Sequence, residues 1–331
     1  MHINDISDPP DGGSRPLNVL SLCTGIGGDV AAFELAGIPH RVVAMAERDP
    51  IAAAVLSHKF PGVENLGDIT KFKNWSKFNG KIDIFIAGIP CQPFSVAGRQ
   101  KGTDDRRDLT TEVVGIIDQV RPRYVFIENV TQYRTLHDGR AFRELGDGLG
   151  RTGYTFDHRV IDAAEVLPQR RKRLFVLGHR GDAGSSPSEI FADAEGRRRG
   201  SEPGGKAWLQ AARAASGGAA IHHPPVLGTL MASGAGLTRS GMRGHELDFL
   251  VVQRFPDGNL IVRRPSPLEA LRAQGFADDW FDGVVYRGKL LTDRQKCELV
   301  GNSWPVPVAA SILRGIHEAE RAQRAKAVAP A

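Results

Sequence analysis

The sequence predicts an α/β protein, a doubly wound sheet joined to a second, smaller, irregular β-rich domain. Three observations predict it. Short apolar runs alternate with amphipathic stretches from Leu17 to about Arg180, the pattern of strands covered by helices. Composition then shifts to Gly, Ser, Ala and Arg over Gly181 to Gly218, with the basic run Arg197, Arg198, Arg199, which reads as a linker and flexible loop. Between His222 and Val262, short weakly alternating segments are separated by glycine-rich turns.

The strands are expected at Asn18 to Leu22, Arg41 to Ala46, Ile82 to Ala87, Tyr124 to Glu128, Tyr154 to Ile161 and Arg173 to Gly178. Helices are expected between them at Val30 to Ala36, Pro50 to Lys59, Leu109 to Val120 and Arg140 to Leu149. In the second domain Phe249 to Phe255 and Asn259 to Val262 read as strands, and helical periodicity returns at Pro267 to Gln274 and Val306 to Arg321. The chain divides into a disordered tail at 1–16, a first domain at 17–180, a linker and second domain at 181–275, a return to the first at 276–318 and a tail at 319–331. Its 331 residues exceed one typical domain of about 100 to 200, which agrees with that division.

Composition bounds the function. Apolar residues at 41% and charged residues at 24% are ordinary for a globular protein, and no apolar run approaches the roughly 18 residues of a membrane span. No membrane is expected as a partner. The N-terminal segment has Asp5, Asp8 and Asp11, three prolines and no apolar stretch, unlike a secretory or transit signal. Cys23, Cys91 and Cys297 are odd in number and far apart, which argues against a disulfide framework and a structural zinc site. A reducing, cytoplasmic setting without a metal is the expectation. The net charge of +5 suits nucleic acid and equally suits enzymes of small anions.

Chemistry concentrates at the predicted strand ends. After the first strand comes Cys23, Thr24, Gly25, Ile26, Gly27, Gly28, a turn that lets the backbone approach a ligand at a helix N-terminus. Alone it fits a nicotinamide dinucleotide, a nucleoside-containing methyl donor or merely a tight turn. Glu47 ends the second strand, where a carboxylate can accept both ribose hydroxyls, and Asp68 stands where it can meet an adenine amino group. As lone acids both also suit helix caps or solvated loops. Pro90 and Pro93 restrict the backbone around Cys91 directly after the third strand, at the edge where doubly wound folds bind ligands. Glu128 ends the fourth strand, and a buried acid there is costly unless paired or working. Gln169, Arg170, Arg171, Lys172, Arg173 concentrates cations before the last strand, as a solvated patch or a phosphate and base contact.

Taken in chain order, the glycine turn Gly25 to Gly28, Pro90-Cys91-Gln92, Glu128-Asn129-Val130, Gln169-x-Arg171-x-Arg173 and Gly301-Asn302-Ser303 resemble the cytosine-C5 DNA methyltransferase family. The resemblance covers Leu17 to Arg180 and Arg263 to about Ile316. It implies a Rossmann-like methyltransferase sheet, S-adenosylmethionine as donor, double-stranded DNA as substrate and a target-recognition module between the two blocks. A monomer, encoded by a prokaryote or phage and acting in the cytoplasm, with a cognate restriction endonuclease as a partner it admits, completes that picture.

The resemblance also assigns residues. Cys91 is the thiolate that adds to cytosine C6 and makes C5 nucleophilic. Glu128 meets N3 and the exocyclic amine, Arg173 the cytosine O2, and Arg171 steadies a loop or a phosphate. Thr24, Gly25, Ile26, Gly27, Gly28, Glu47, Asp68, Pro90 and Asn302 hold the donor. Stacked in a duplex the target atom is out of reach, so the base must flip, and the polar loop from Ser95 to Arg107 suits a closing lid. Gln92, Ser95, Arg99, Arg106, Gln169, Thr229, Arg239 and Arg243 are its candidate DNA contacts, of which Thr229-Leu230 resembles a Thr-plus-aliphatic pair of recognition modules. One departure concerns the donor: many members have Phe where Cys23 stands, so adenine stacking is weakened or supplied by another side chain. A tRNA cytosine-C5 methyltransferase of similar architecture and a catalytically silent nucleic-acid-binding homologue are the alternatives.

Overall fold

A computed structural model describes residues 15–90, 108–181, 185–200, 220–222, 251–254 and 259–328. Six strands form the main sheet: β1 (Leu17–Leu22), β2 (His40–Ala46), β3 (Ile84–Gly88), β4 (Tyr124–Val130), β5 (Tyr154–Asp162) and β6 (Lys172–Arg180). Their order across the sheet is β2-β1-β3-β4-β6-β5. β2, β1, β3 and β4 pair in parallel, while β6 runs antiparallel between β4 and β5.

The reversal of β6 has a local cause. No crossover helix separates β5 from β6; a short 3₁₀ turn at Ala163–Glu165 connects them, so the chain folds straight back on itself. β1, β3 and β4 are buried on both faces, and successive residues serve opposite cores. Val19, Ile84, Ile86 and Phe126 pack on one side, and Leu20, Phe85, Ala87, Val125 and Ile127 on the other.

The helices of the main domain are α1 (Gly28–Ala36), α2 (Pro50–Lys59), α3 (Thr110–Val120) and α4 (Arg140–Arg151), with α5 (Pro187–Gly200), α6 (Pro267–Gln274), α7 (Asp293–Gly301) and α8 (Val306–Val328) following. Start signals are local: Asp49 caps α2 by accepting from the Ile51 and Ala52 amides, and Pro50 occupies its first turn. Ser266 and Glu269 form a reciprocal capping box on α6. α3 and α4 cover one face, with α1, α5 and α8 on the other.

Two predicted boundaries are corrected. α5 lies inside the stretch read as a flexible linker, and it belongs to the main domain because Ile190, Phe191 and Ala194 are buried in its core. Arg198, 6% exposed, ties it to Glu165 and to the Ser311 hydroxyl. Few apolar residues among many Gly, Ala and Arg hide that stripe. Likewise α8 continues to Val328 through the predicted tail, because buried Ala319 and Glu320 hold it down and Glu320 pairs with Arg123.

Separate from the main sheet, β7 (Ala220–His222), β8 (Val251–Arg254) and β9 (Leu260–Arg263) form a three-stranded antiparallel sheet. A two-stranded hairpin of β10 (Val285–Tyr286) and β11 (Lys289–Leu290) precedes α7. Among the described residues, no helix is long and apolar enough to cross a membrane, and no group of three or more His, Cys, Asp or Glu is placed to hold a metal ion.

Candidate active site

β1, β2, β3 and β4 all end at one edge of the sheet, and antiparallel β6 begins there. The register places Gly88 beside Glu128, and Arg173 beside Val130. A cavity of about 700 Å³ opens along this edge, large enough for a ligand beyond a simple metabolite. Thr24, Gly25 and Ile26 line it from β1, Glu47 and Asp68 from the β2 side, Ile89 and Pro90 after β3, and Glu128, Arg171 and Arg173 from β4 and β6. Asn302, Ser303 and Trp304 line it from the return segment.

One end is built on the glycine turn. Gly25 has φ +59° and donates its amide to Glu47 Oε2 at 2.8 Å, while the Asp49 amide donates to Oε1 at 2.7 Å. Asn65 clamps the Glu47 backbone from both sides, accepting from its N–H and donating to its carbonyl. Burial raises the Glu47 carboxyl above the usual range, against the pull of these amide donors. At Asp68 burial also raises, but the amide and hydroxyl of Thr70, with Arg48 and Lys71, outweigh it and the carboxyl ends below the usual range. Asp68 Oδ1 takes both Thr70 bonds, at 3.0 and 2.9 Å.

Beneath the turn lies a polar relay that sequence reading missed. Ser21 donates to Asp29 Oδ2 at 2.5 Å, and the Ser21 and Thr24 hydroxyls are 2.8 Å apart. Asp29 is 2% exposed, and burial pushes its carboxyl up to about 6. Above the turn, burial with Glu47 and Asp68 nearby pushes the Cys23 thiol up to about 12, so it stays protonated at neutral pH.

The other end is more enclosed. Glu128 Oε1 lies 2.9 Å from Arg173 Nε, with both side chains almost out of solvent. Burial raises the Glu128 carboxyl, and Arg173 and Arg171 oppose that rise. Arg171 is itself 2% exposed and donates from Nη2 to the carbonyls of Gly301 and Ser303 at 3.2 and 2.6 Å, fastening the return segment to β6. Trp304 closes the wall: a Cβ on Gly88 would sit 2.7 Å from its Nε1, and its indole packs edge-on against Phe126 and Phe175.

Three expected contacts are corrected. Gly27 and Gly28 do not line the cavity; side chains there would strike the Phe60 ring at 2.7 Å and the Ser303 hydroxyl at 2.6 Å, so both glycines serve close packing. Gln169 is fully buried with its amide near the Ala273 carbonyl, so it packs α6 rather than facing DNA. Cys91, Gln92, Ser95, Arg99, Arg106, Thr229, Arg239 and Arg243 lie outside the described residues; Pro90, immediately before Cys91, lines the cavity. Trp304 and Arg48 were missed as lining residues, Trp304 because an aromatic in an apolar run reads as core and Arg48 because an exposed Arg reads as solvated surface.

Residues 17–199 match the family described as C-5 cytosine-specific DNA methylase. The Type II methyltransferase M2.BsuMI of Bacillus subtilis (strain 168) is 30% identical over 309 residues, covering 88% of this chain and 73% of that protein. M.NgoBI of Neisseria gonorrhoeae, also a Type II methyltransferase, is 29% identical over 313 residues, 87% of this chain and 89% of its own. Among solved structures, the S. pombe Dnmt2 methyltransferase superposes with a TM-score of 0.64 at 18% identity, covering 92% of this chain and 99% of that one, which is a likeness of fold.

Proposed function

The chain belongs to the C-5 cytosine-specific DNA methylases, and from that premise we propose which of its residues carry the reaction. As a member it methylates cytosine C5 in DNA with S-adenosylmethionine as donor. The observation that carries the assignment is one continuous cavity joining the Gly25, Glu47 and Asp68 end to the Glu128 and Arg173 end, with Pro90 between.

The residues present fit the donor. Glu47 suits a ribose diol, Asp68 Oδ1 is committed to Thr70 while its other oxygen suits an amino group, and the space over Gly25 is open. Ser303 Oγ lines the cavity, buried and without a hydrogen bond among the described residues, a position that suits a polar ligand atom. Bound there, S-adenosylmethionine supplies an electrophilic methyl group. Gly25, Glu47, Asp68, Ser303 and Asn302 hold and orient that group, and the remaining residues act on the cytosine.

Cys91 adds as thiolate to C6 of the flipped base, pushing electron density to C5. Glu128, held high by burial, keeps a proton available at N3, and Arg173 beside it balances the charge that develops on the ring. Arg171 keeps the Gly301 to Ser303 wall in place. Cys23 does not compete as nucleophile, because its thiol is held up to about 12. Once C5 carries the methyl group, a water molecule takes the C5 proton, and elimination breaks the C6–S bond and returns the Cys91 thiolate.

The region between α5 and α6, with its three-stranded sheet, is the recognition module, and Thr229, Arg239 and Arg243 are its candidate base or phosphate contacts. A monomer acting on DNA in the cytoplasm is the working form. The Type II relatives favour a cognate restriction endonuclease as partner.

The test is to incubate the protein with labelled donor and a DNA pool containing all short sites, mapping 5-methylcytosine beside a Cys91→Ser variant. Wild-type protein should mark one site class and form a covalent complex with 5-fluorocytosine DNA; the variant should do neither. A variant that still forms the complex removes Cys91 from the mechanism.

A further inference from the structure

Asp29 is a buried acid that the chemistry at cytosine does not use. It stands in the first turn of α1, directly behind the glycine turn whose Thr24, Gly25 and Ile26 line the cavity. Its Oδ2 accepts from the Ser21 hydroxyl at 2.5 Å, and that hydroxyl lies 2.8 Å from Thr24 Oγ1. Its Oδ1 is buried and meets no hydrogen bond among the described residues. When ionised, such a carboxylate carries a charge that neither solvent nor a counter-ion cancels.

Two arrangements of protons fit these distances. With Asp29 ionised, Ser21 donates to Oδ2 and accepts the Thr24 proton on its own oxygen. With Asp29 protonated, Oδ2 donates to Ser21, Ser21 donates to Thr24, and Thr24 turns its proton to the Ser21 carbonyl at 3.2 Å. Both keep the three side chains linked, so the proton can pass to solvent without disturbing the turn. Burial raises the Asp29 carboxyl, the Ser21 hydroxyl and the amides of Val30 and Asp29 oppose that rise, and no charged side chain among the described residues acts on it.

The donor changes charge during the reaction. S-adenosylmethionine carries a sulfonium cation, and S-adenosylhomocysteine, the spent donor, has lost that charge with the methyl group while keeping every other group. An enclosed negative charge behind the binding turn tells the two apart by Coulomb attraction, which is strong where water is excluded.

We propose that Asp29, as a carboxylate behind the glycine turn, selects the charged donor over the spent one. The inference rests on the donor reading given above. Asp29 stands behind the cavity wall and acts by its charge, as a residue that sets ligand preference and takes no part in the chemistry. Binding and titration are linked: the cation draws the proton off Asp29, and loss of the cation lets the proton return from solvent, so the site loosens on the product.

Calorimetric titration of the full chain without DNA tests this, with S-adenosylmethionine and S-adenosylhomocysteine taken separately, in wild type, Asp29→Asn and Ser21→Ala, over a series from about pH 5 to about pH 8. At the upper end the wild-type preference for the charged ligand should exceed that of Asp29→Asn about tenfold, and at the lower end, where Asp29 holds its proton, the two should agree within about twofold. Ser21→Ala removes the donor to Oδ2 and should move the midpoint of the wild-type profile upward. Affinity for S-adenosylhomocysteine should stay within about twofold throughout. Glu47 and Glu128 also line this cavity with raised carboxyls, so the comparison with Asp29→Asn isolates Asp29 from them. Equal preference in wild type and Asp29→Asn at the upper end overturns the proposal. An equal loss of both ligands in that variant also overturns it, in favour of a packing role in the turn. Absence of binding of either ligand by wild type overturns the donor reading, and this inference with it.

Discussion

Glu47, directly after β2, and Glu128, near the end of β4, face the same edge of one sheet, and they are held in opposite ways. Glu47 follows edge strand β2 and is satisfied by backbone amides from Gly25 and Asp49, with no cation against it among the described residues. Glu128 stands inside β4, two residues before its end and in the middle of the sheet, where amide donors are used by neighbouring strands, and its charge partner is Arg173. That partner reaches the edge because β6 runs backwards, so its beginning, not its end, lies beside the end of β4. The end proposed to bind the donor uses fixed amide dipoles; the end proposed to move a proton uses an ion pair shielded from water, where charge is worth more.

The largest expected effect separates the two halves. Glu128→Gln should slow single-turnover methylation by about 10² to 10⁴ while leaving S-adenosylhomocysteine affinity within about twofold. A matching loss of affinity would mean that the halves are not independent. Asp29 sharpens the comparison, because it is buried like Glu128 yet lies against the Ser21 hydroxyl. Its carboxyl rises from 3.8 to about 6, so the folded state favours its proton. The resulting stability is full below about pH 4 and is lost as pH rises through about 6. Denaturant unfolding of Asp29→Asn against wild type should show the variant's relative stability rising by about 2 to 3 kcal/mol between pH 4 and pH 8, because a tenfold change in proton affinity is worth about 1.4 kcal/mol. A flat difference would mean Asp29 does not titrate alone. The smallest effect belongs to the open half: Glu47→Gln should weaken S-adenosylhomocysteine binding about tenfold, read by calorimetry, with methylation near normal at saturating donor.

The strands and the strand-end residues were legible because each is a local pattern, an apolar run followed by a turn. Glu47 and Pro90 line the cavity just beyond β2 and β3 and Glu128 from near the end of β4, while Asp68 lines it from the loop between α2 and β3. α5 was not legible, since Ile190, Phe191 and Ala194 make a sparse stripe whose value depends on α8 standing opposite. Gln169 was misplaced because a polar residue among cations looks solvated until the fold lays α6 over it.

By itself the sequence determined the order of the chemistry: a glycine turn, a proline-bound cysteine, a strand-end glutamate and an arginine pair, each tied to a strand by a few residues. Only the tertiary structure decided which side chains share a space. It turned Gly27 and Gly28 into packing contacts, buried Arg171 as a clasp on Gly301 and Ser303, and brought Arg48 and Trp304 to the cavity wall. The physical reason is separation along the chain. Arg171 lies 130 residues from Gly301, and no local pattern encodes a contact that exists only once strand and return segment have met.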